Sequence, residues 1–179
     1  MHFIFFVIFI WNRARSQIST KLGVASTEIK NVVIWGNHSK TQVPDVSNAT
    51  ISGKKASEFE ALTEDYLKKE FIPLVQGRGK AIIEARGLSS ALSAANGAKD
   101  CLRDWVLGTP EGETVAMSVY STGHYGITKG IFYSVPCTCK DGKFTVVTDY
   151  KVGDDIKALM TASEKELCEE AKEAGIKLE

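Results

Sequence analysis

Asn31-Val32-Val33-Ile34-Trp35-Gly36-Asn37-His38-Ser39 is the stretch on which the reading of the fold turns. Val32 to Trp35 is a continuous apolar run closed by a turn signal. That is the pattern of a strand covered on both faces. Gly36 lets the chain leave the strand sharply where a side chain would clash. His38 then falls on a loop fixed by a rigid strand, a common place for a catalytic group. The same position also suits a histidine that caps a strand end or hydrogen-bonds at the rim of a core. From these nine residues alone the second reading outweighs the first.

Outward from this strand the chain alternates between helix and turn signals. Ala14, Ile18 and Leu22 share one face of a helix over 13–22 that Gly23 stops. Residues 26–30 read as a turn, 41–46 with Pro44 as a loop, and 50–55 as a weak strand and turn. Ser57 reads as an N-cap for Phe59, Leu62 and Tyr66. Pro73, and then Gly77 and Gly79, should kink or break that helix, and Gly87 should end the stretch 81–86. Residues 89–107 carry the strongest helix, with Leu92, Ala95, Cys101, Leu102 and Trp105 as its inward stripe. Strands follow over 114–121, 131–139 and 143–150, the last two joined by the hairpin pair Asp141-Gly142. His124 sits on a loop between strands and reads as a surface residue. A closing helix over 154–174 should turn Ile156, Leu159, Met160 and Leu167 inward. Strands and helices are segregated, which argues for α+β: a mostly antiparallel twisted sheet backed by helices.

Composition narrows the function classes. A chain of 179 residues with 44% hydrophobic and 25% charged residues can bury one real core. Its 22 basic and 22 acidic residues cancel, so nothing favours nucleic acid or an anionic membrane as a partner. The run Phe3 to Trp11 is apolar but far short of the about 20 residues that span a bilayer. It has no basic region before it and no clear cleavage site after it, so it does not read as a secretory signal. Residues 1–11 are therefore set apart as an atypical apolar N-terminus, able to form a strand on composition. Of the four cysteines, only Cys137 and Cys139 are close, and no metal site is expected.

Four segments, in order and spacing, carry a resemblance. They are Asn12-Arg13-Ala14, the segment from Ile34 to Asp45, Leu88 to Ala95 with its Ser-Ser-Ala-Leu-Ser core, and Gly108-Thr109-Pro110-Glu111-Gly112-Glu113. Together they resemble the C-terminal half of NAD-dependent malate dehydrogenases of the cytosolic type, over residues 12–179. The resemblance implies the substrate domain of the lactate/malate dehydrogenase fold, malate and oxaloacetate as substrates, NAD as cofactor and a cytoplasmic setting. It also implies a homodimer, or association with a full-length paralogue. The family's N-terminal dinucleotide-binding half has no counterpart, and no glycine-rich strand-turn-helix fingerprint is found. The expectation is a truncated catalytic-domain fragment, inactive alone. The alternative is a non-catalytic interaction module that associates with full-length dehydrogenase.

Oxidising a 2-hydroxy acid needs a group to take the hydroxyl proton, a group to hold the carboxylate, and a placed nicotinamide. By the resemblance, His38 is the proton acceptor, and an imidazole near neutrality suits that task. Arg13 is the carboxylate clamp, since a guanidinium gives two parallel hydrogen bonds. Ser93 matches a position beside the nicotinamide end of the cofactor; it equally suits a tight helix contact. The family pairs its histidine with an aspartate three residues before the arginine, and here that position is Ile10. A histidine without that partner should lose the elevation of its pKa.

Overall fold

The computed structural model describes residues 8–178. Helix α1 spans Ile8–Leu22, and Gly23 ends it with a left-handed φ of 68°. Ala14 and Ile18 are fully buried and Leu22 is half-buried, so the predicted face is the packed one. The helix begins before the predicted start and crosses the junction at 11–12. Ile8 to Trp11 are thus helical, not extended, and Ile10 and Trp11 enter the core. Burial of that apolar face overrides the strand preference of the run. Residues 1–7 of the N-terminal expectation lie outside the described residues.

After a 3-10 turn come β1 (Ile29–Lys30), β2 (Val33–Trp35), β3 (Val43–Asp45), β4 (Thr50–Ile51) and β5 (Lys54–Lys55). All three residues of β2 are buried, as the apolar run requires. Its partner is β3, antiparallel, with Ile34 opposite Pro44. Residues 43–45 are therefore strand where the sequence reads loop. Pro44 removes one donor, which an edge strand tolerates because its outer side has no ladder bond to lose. The hairpin β4–β5 turns through Ser52 and Gly53, both at positive φ, matching the predicted strand and turn.

The next helix starts later than predicted. Ser57 lies in a 3-10 turn, and the cap is Thr63, whose Oγ1 accepts from the Tyr66 N–H. The helix opens as α2 (Glu64–Tyr66), widens into a π turn over Leu67–Phe71, and continues as α3 (Ile72–Arg86). Pro73 breaks nothing. Its ring and missing donor conflict with the carbonyl four residues before, and the widened turn just ahead relieves that conflict. Gly77 and Gly79 stay helical, and Gly87 ends the helix at φ 65°.

Helix α4 is Ala91–Leu107, and its inward stripe differs from prediction. Gly97, Asp100, Cys101 and Asp104 are buried, whereas Leu92 and Leu102 are 75% and 44% exposed. The buried carboxylates are held by partners: Asn12 Nδ2 donates to Asp100 Oδ2 at 3.1 Å, and Arg103 pairs with Asp104 at 2.6 Å. Hydrogen-bonded acids can thus occupy an interior stripe that apolar periodicity does not mark.

The sheet β6 (Val115–Tyr120), β7 (Phe132–Lys140) and β8 (Lys143–Val146) is antiparallel throughout. Asp141 and Gly142, at φ 52° and 69°, make the predicted hairpin. Helix α5 (Asp154–Glu173) buries Ile156 and Met160 and half-buries Leu167. Leu159 is 36% exposed; Ser163, fully buried, takes the inward place instead. The result is α+β, with antiparallel ladders and helices packed on them. A bridge from Gly36 to Ser134 joins β2 to β7 and so fixes the loop after β2 to the main sheet.

Candidate active site

The loop carrying His38 is anchored from three sides. Gly36, at φ 91°, sits so close to α5 that an added Cβ would meet Ser163 Cβ at 2.8 Å. That approach lets Ser163 Oγ accept from the Asn37 N–H at 2.9 Å. Ser39 Oγ donates to Glu166 at 2.6 Å, and Thr41 Oγ1 reaches the same carboxylate oxygen. Beneath the loop, buried Trp35 donates through Nε1 to Asp45 Oδ2 at 3.0 Å and meets Tyr125 edge-on. These contacts hold the β2–β3 connection in one geometry, as a reacting group requires.

His38 itself stands at the exposed rim, with part of its ring packed against the protein. That partial burial is the largest influence on the ring and pushes its pKa below the ordinary 6.5. The Gln42 side chain opposes this by favouring the charged ring, and the charge of Arg13 lowers the pKa further. Among these influences there is no carboxylate. Ile10, where the resemblance expects one, is 0% exposed in the apolar core.

Arg13 reaches the same region from α1. Its Nη2 donates to Ser90 Oγ at 3.1 Å, and burial followed by the charge of Arg78 lowers its pKa. Arg13 and Ser93 line one cleft of ≈ 190 Å³ between α1, α3 and α4. Ser93 spends its own hydroxyl proton on the Ser90 carbonyl at 2.8 Å. The structure therefore brings Arg13 and Ser93 into one cleft. His38 does not line it, but lies near enough to feel the Arg13 charge. A larger cleft of ≈ 360 Å³, near Arg15 and Glu113, contains none of the three.

Gln42 is the residue the sequence reading missed. It is 2% exposed, and Gln76 Nε2 donates to its backbone carbonyl at 2.7 Å. A polar residue four positions after the histidine was the available signal. Its burial depends on α3, which local sequence does not reveal.

The comparisons decide the family. Residues 11–177 match the family described as lactate/malate dehydrogenase, alpha/beta C-terminal domain. The chain belongs to the lactate/malate dehydrogenase family. Cytoplasmic malate dehydrogenase of Mesembryanthemum crystallinum is 52% identical over 162 residues, covering 89% of this chain and 49% of that protein. That of Zea mays is 49% identical over the same length. Among solved structures of the family, malate dehydrogenase from Naegleria fowleri superposes with a TM-score of 0.88 at 42% identity, over 94% of this chain and 52% of that one. Trichomonas vaginalis lactate dehydrogenase, in complex with NADH and oxamate, gives 0.89 at 32% identity, over 96% of this chain and 54% of that one. The chain thus spans about half the length of the relatives it matches.

Members of the lactate/malate dehydrogenase family work with a nicotinamide dinucleotide. Such a ligand is gripped in a crevice of parallel βαβ units. Every strand pairing among the described residues is antiparallel, so they do not form that crevice. Among the described residues there is also no group of three or more metal-ligating side chains, and no helix is long and apolar enough to cross a membrane. The cysteines are free, and burial pushes the Cys101 thiol up to about 11.

Proposed function

We propose that this chain is the substrate half of a cytoplasmic malate dehydrogenase, acting on malate and oxaloacetate. Oxidation of the 2-hydroxy acid removes a proton from its hydroxyl and a hydride from the adjoining carbon. The imidazole of His38 takes the proton, and the guanidinium of Arg13 holds the neighbouring carboxylate. Ser93, in the same cleft as Arg13, borders the space for the nicotinamide end of NAD. The cofactor's grip lies outside the described residues, so the chain does not turn over alone. The observation that carries this reading is the cleft between α1, α3 and α4 that Arg13 and Ser93 line together, with His38 close enough for the Arg13 charge to lower its pKa. With Ile10 in place of the orienting carboxylate, the imidazolium is poorly stabilised. Removing the aspartate of a protease triad slows the reaction about 10⁴-fold, and a loss of that order is expected here.

A dehydrogenase assay tests this. The purified chain with malate and NAD is expected to form no NADH. Adding the N-terminal half of a cytoplasmic malate dehydrogenase as a separate chain should give slow, malate-dependent NADH formation that Arg13→Gln abolishes. Turnover by the chain alone, lost in His38→Ala, would overturn the claim of inactivity.

A second reading has an observation of its own. Leu102, Val106 and Leu107 near the C-terminal end of α4 are 44%, 64% and 78% exposed, a surface suited to association with a second copy or a full-length paralogue. Co-purification with such a paralogue, unchanged by His38→Ala, is the outcome that favours it.

A further inference from the structure

Helix α5 holds the chain on both sides of His38. On the N-terminal side, the Asn37 N–H donates to Ser163 Oγ at 2.9 Å. On the C-terminal side, Ser39 Oγ donates to Glu166 Oε2 at 2.6 Å, and the Thr41 hydroxyl donates to the same oxygen. Ser163 and Glu166 are three residues apart, so they project from one face of the helix. The exposed His38 therefore leaves the backbone between two pins set in a single element.

Glu166 secures its side with more than one bond. The Thr41 N–H donates to Ser39 Oγ at 3.0 Å, so the two hydroxyl-bearing residues are tied to each other as well as to the carboxylate. Hydrogen bonds to a carboxylate are charge-assisted and roughly twice as strong as those between neutral groups. Ser39, Thr41 and Glu166 are all half-buried, which strengthens the bonds further by excluding part of the surrounding water. The helix is itself anchored: Tyr133 on β7, buried, donates to the Met160 carbonyl at 3.1 Å, and Ile156 and Met160 lie in the core. A glutamate on the outer side of a helix is ordinarily a solvated charge. Glu166 differs because both of its hydroxyl partners follow closely on the proposed proton acceptor.

Glu164 provides the contrast. Its Oε1 accepts from the N–H and the hydroxyl of Thr128, at 2.7 and 2.6 Å. That is the same chemistry from the same helix, but it fastens the connection between β6 and β7. General support of the fold by α5 is shared by both glutamates, whereas placement of the imidazole falls to Glu166.

We propose that Glu166 is a positioning residue for His38, acting through Ser39 and Thr41 to hold the imidazole where it meets the 2-hydroxy acid. This rests on the reading of His38 as the proton acceptor. The contribution is geometric: with the clamp released, the loop samples more conformations and the ring occupies its reacting position for a smaller fraction of the time.

Two readouts test the clamp and the proton-acceptor reading separately. The first is the His38 ring titration followed by NMR in the full 179-residue chain, which needs no partner chain and no turnover. Partial burial keeps the ring below its ordinary 6.5, so a released loop should carry the midpoint upward toward 6.5. Glu166→Ala is expected to raise it, and so is Ser39→Ala combined with Thr41→Val, which removes the donors and leaves the carboxylate. Joining all three substitutions should raise it no further than either alone, because they break one clamp. Glu166→Gln, which keeps an acceptor of the same size without the charge, falls between. Glu164→Ala is expected to leave the midpoint in place. The amide spectrum of each variant reports that it is folded, and the hydroxyl variant carries the same test should Glu166→Ala not fold.

The second readout is malate-dependent NADH formation with the N-terminal half of a cytoplasmic malate dehydrogenase added. Glu166→Ala should lower kcat at least about tenfold with little change in KM, since a misplacement of about 1 Å costs up to about 10²-fold. The inference is overturned if Glu166→Ala leaves the His38 midpoint where it was, or if Glu164→Ala moves it as far. It is overturned too if the effects of Glu166→Ala and the hydroxyl variant add in full, or if the loss of activity lies in KM alone. Should the midpoint move as expected while His38→Ala leaves turnover unchanged, the clamp stands but holds no reacting group. The proton-acceptor reading then fails, and the positioning role fails with it.

Discussion

At the scale of single residues, the site turns on how the imidazole of His38 is tuned. Partial burial holds His38 below its ordinary 6.5, and the Gln42 side chain raises it. Gln42→Leu removes that contact at similar volume, so the His38 titration followed by NMR should shift to lower pH. An unchanged midpoint would show that Gln42 does not act on the ring. The same depression has a stability sign. Because the folded chain binds this proton less readily than the unfolded chain, the contribution of His38 is fully present above 6.5. It is lost as pH falls through the depressed value. His38 and Arg13 were legible through the resemblance, because motif and spacing are local properties. Gln42 and Glu166 were not, since their roles depend on which element lies across from them. Gly36 was legible as a sharp exit, but the need for a bare Cα there comes from Ser163, more than a hundred residues away.

At the scale of elements, the sequence reading succeeded where one pattern had one cause. The β2 run, the Asp141-Gly142 hairpin and the Gly23 and Gly87 stops all follow from local sterics or complete burial. It failed where tertiary partners reversed a local preference. Pro44 is in a strand because β3 has an open side, and Pro73 sits inside a long helix because a π turn precedes it. On α4 the error concerned which face is inward, and the contact between Asn12 and Asp100 explains it. Asp100 would be driven up by burial, the largest influence on it, yet Asn12, Lys99 and Arg103 together hold it below the ordinary carboxylate value. Asn12→Ala leaves this partly buried acid one donor short and loosens α1 from α4. Loss of a hydrogen bond to a charged group is worth about 1.5–3 kcal/mol. Urea unfolding should therefore show a lower midpoint with an unchanged slope, and a change in slope instead would point to altered compactness. Asp100→Asn should reduce the penalty of Asn12→Ala, because a neutral amide depends less on that donor.

At the scale of the whole molecule, the α+β class followed from segregated strands and helices, and the antiparallel ladders agree with it. The distribution of apolar surface did not follow, because hydrophobic periodicity assumes that a helix has one apolar face and buries it. Helix α4 instead turns Asp100, Cys101 and Asp104 inward and leaves Leu102, Val106 and Leu107 outside. Three large apolar side chains within six residues near one helix end form more than the isolated exposures that any surface carries. Water contact there disfavours the lone chain, and shared burial would relieve it by roughly 25 cal/mol for each Å² covered. Sedimentation velocity of the purified chain is therefore expected to show concentration-dependent association. Val106→Lys with Leu107→Lys should suppress it by adding charge to the same surface. Neither residue makes core contacts, at 64% and 78% exposed, so each substitution should shift stability by no more than about 0.5 kcal/mol. Association that persists in the double variant places the sticky surface elsewhere. A large fall in thermal midpoint would mean instead that these side chains support the fold of the monomer.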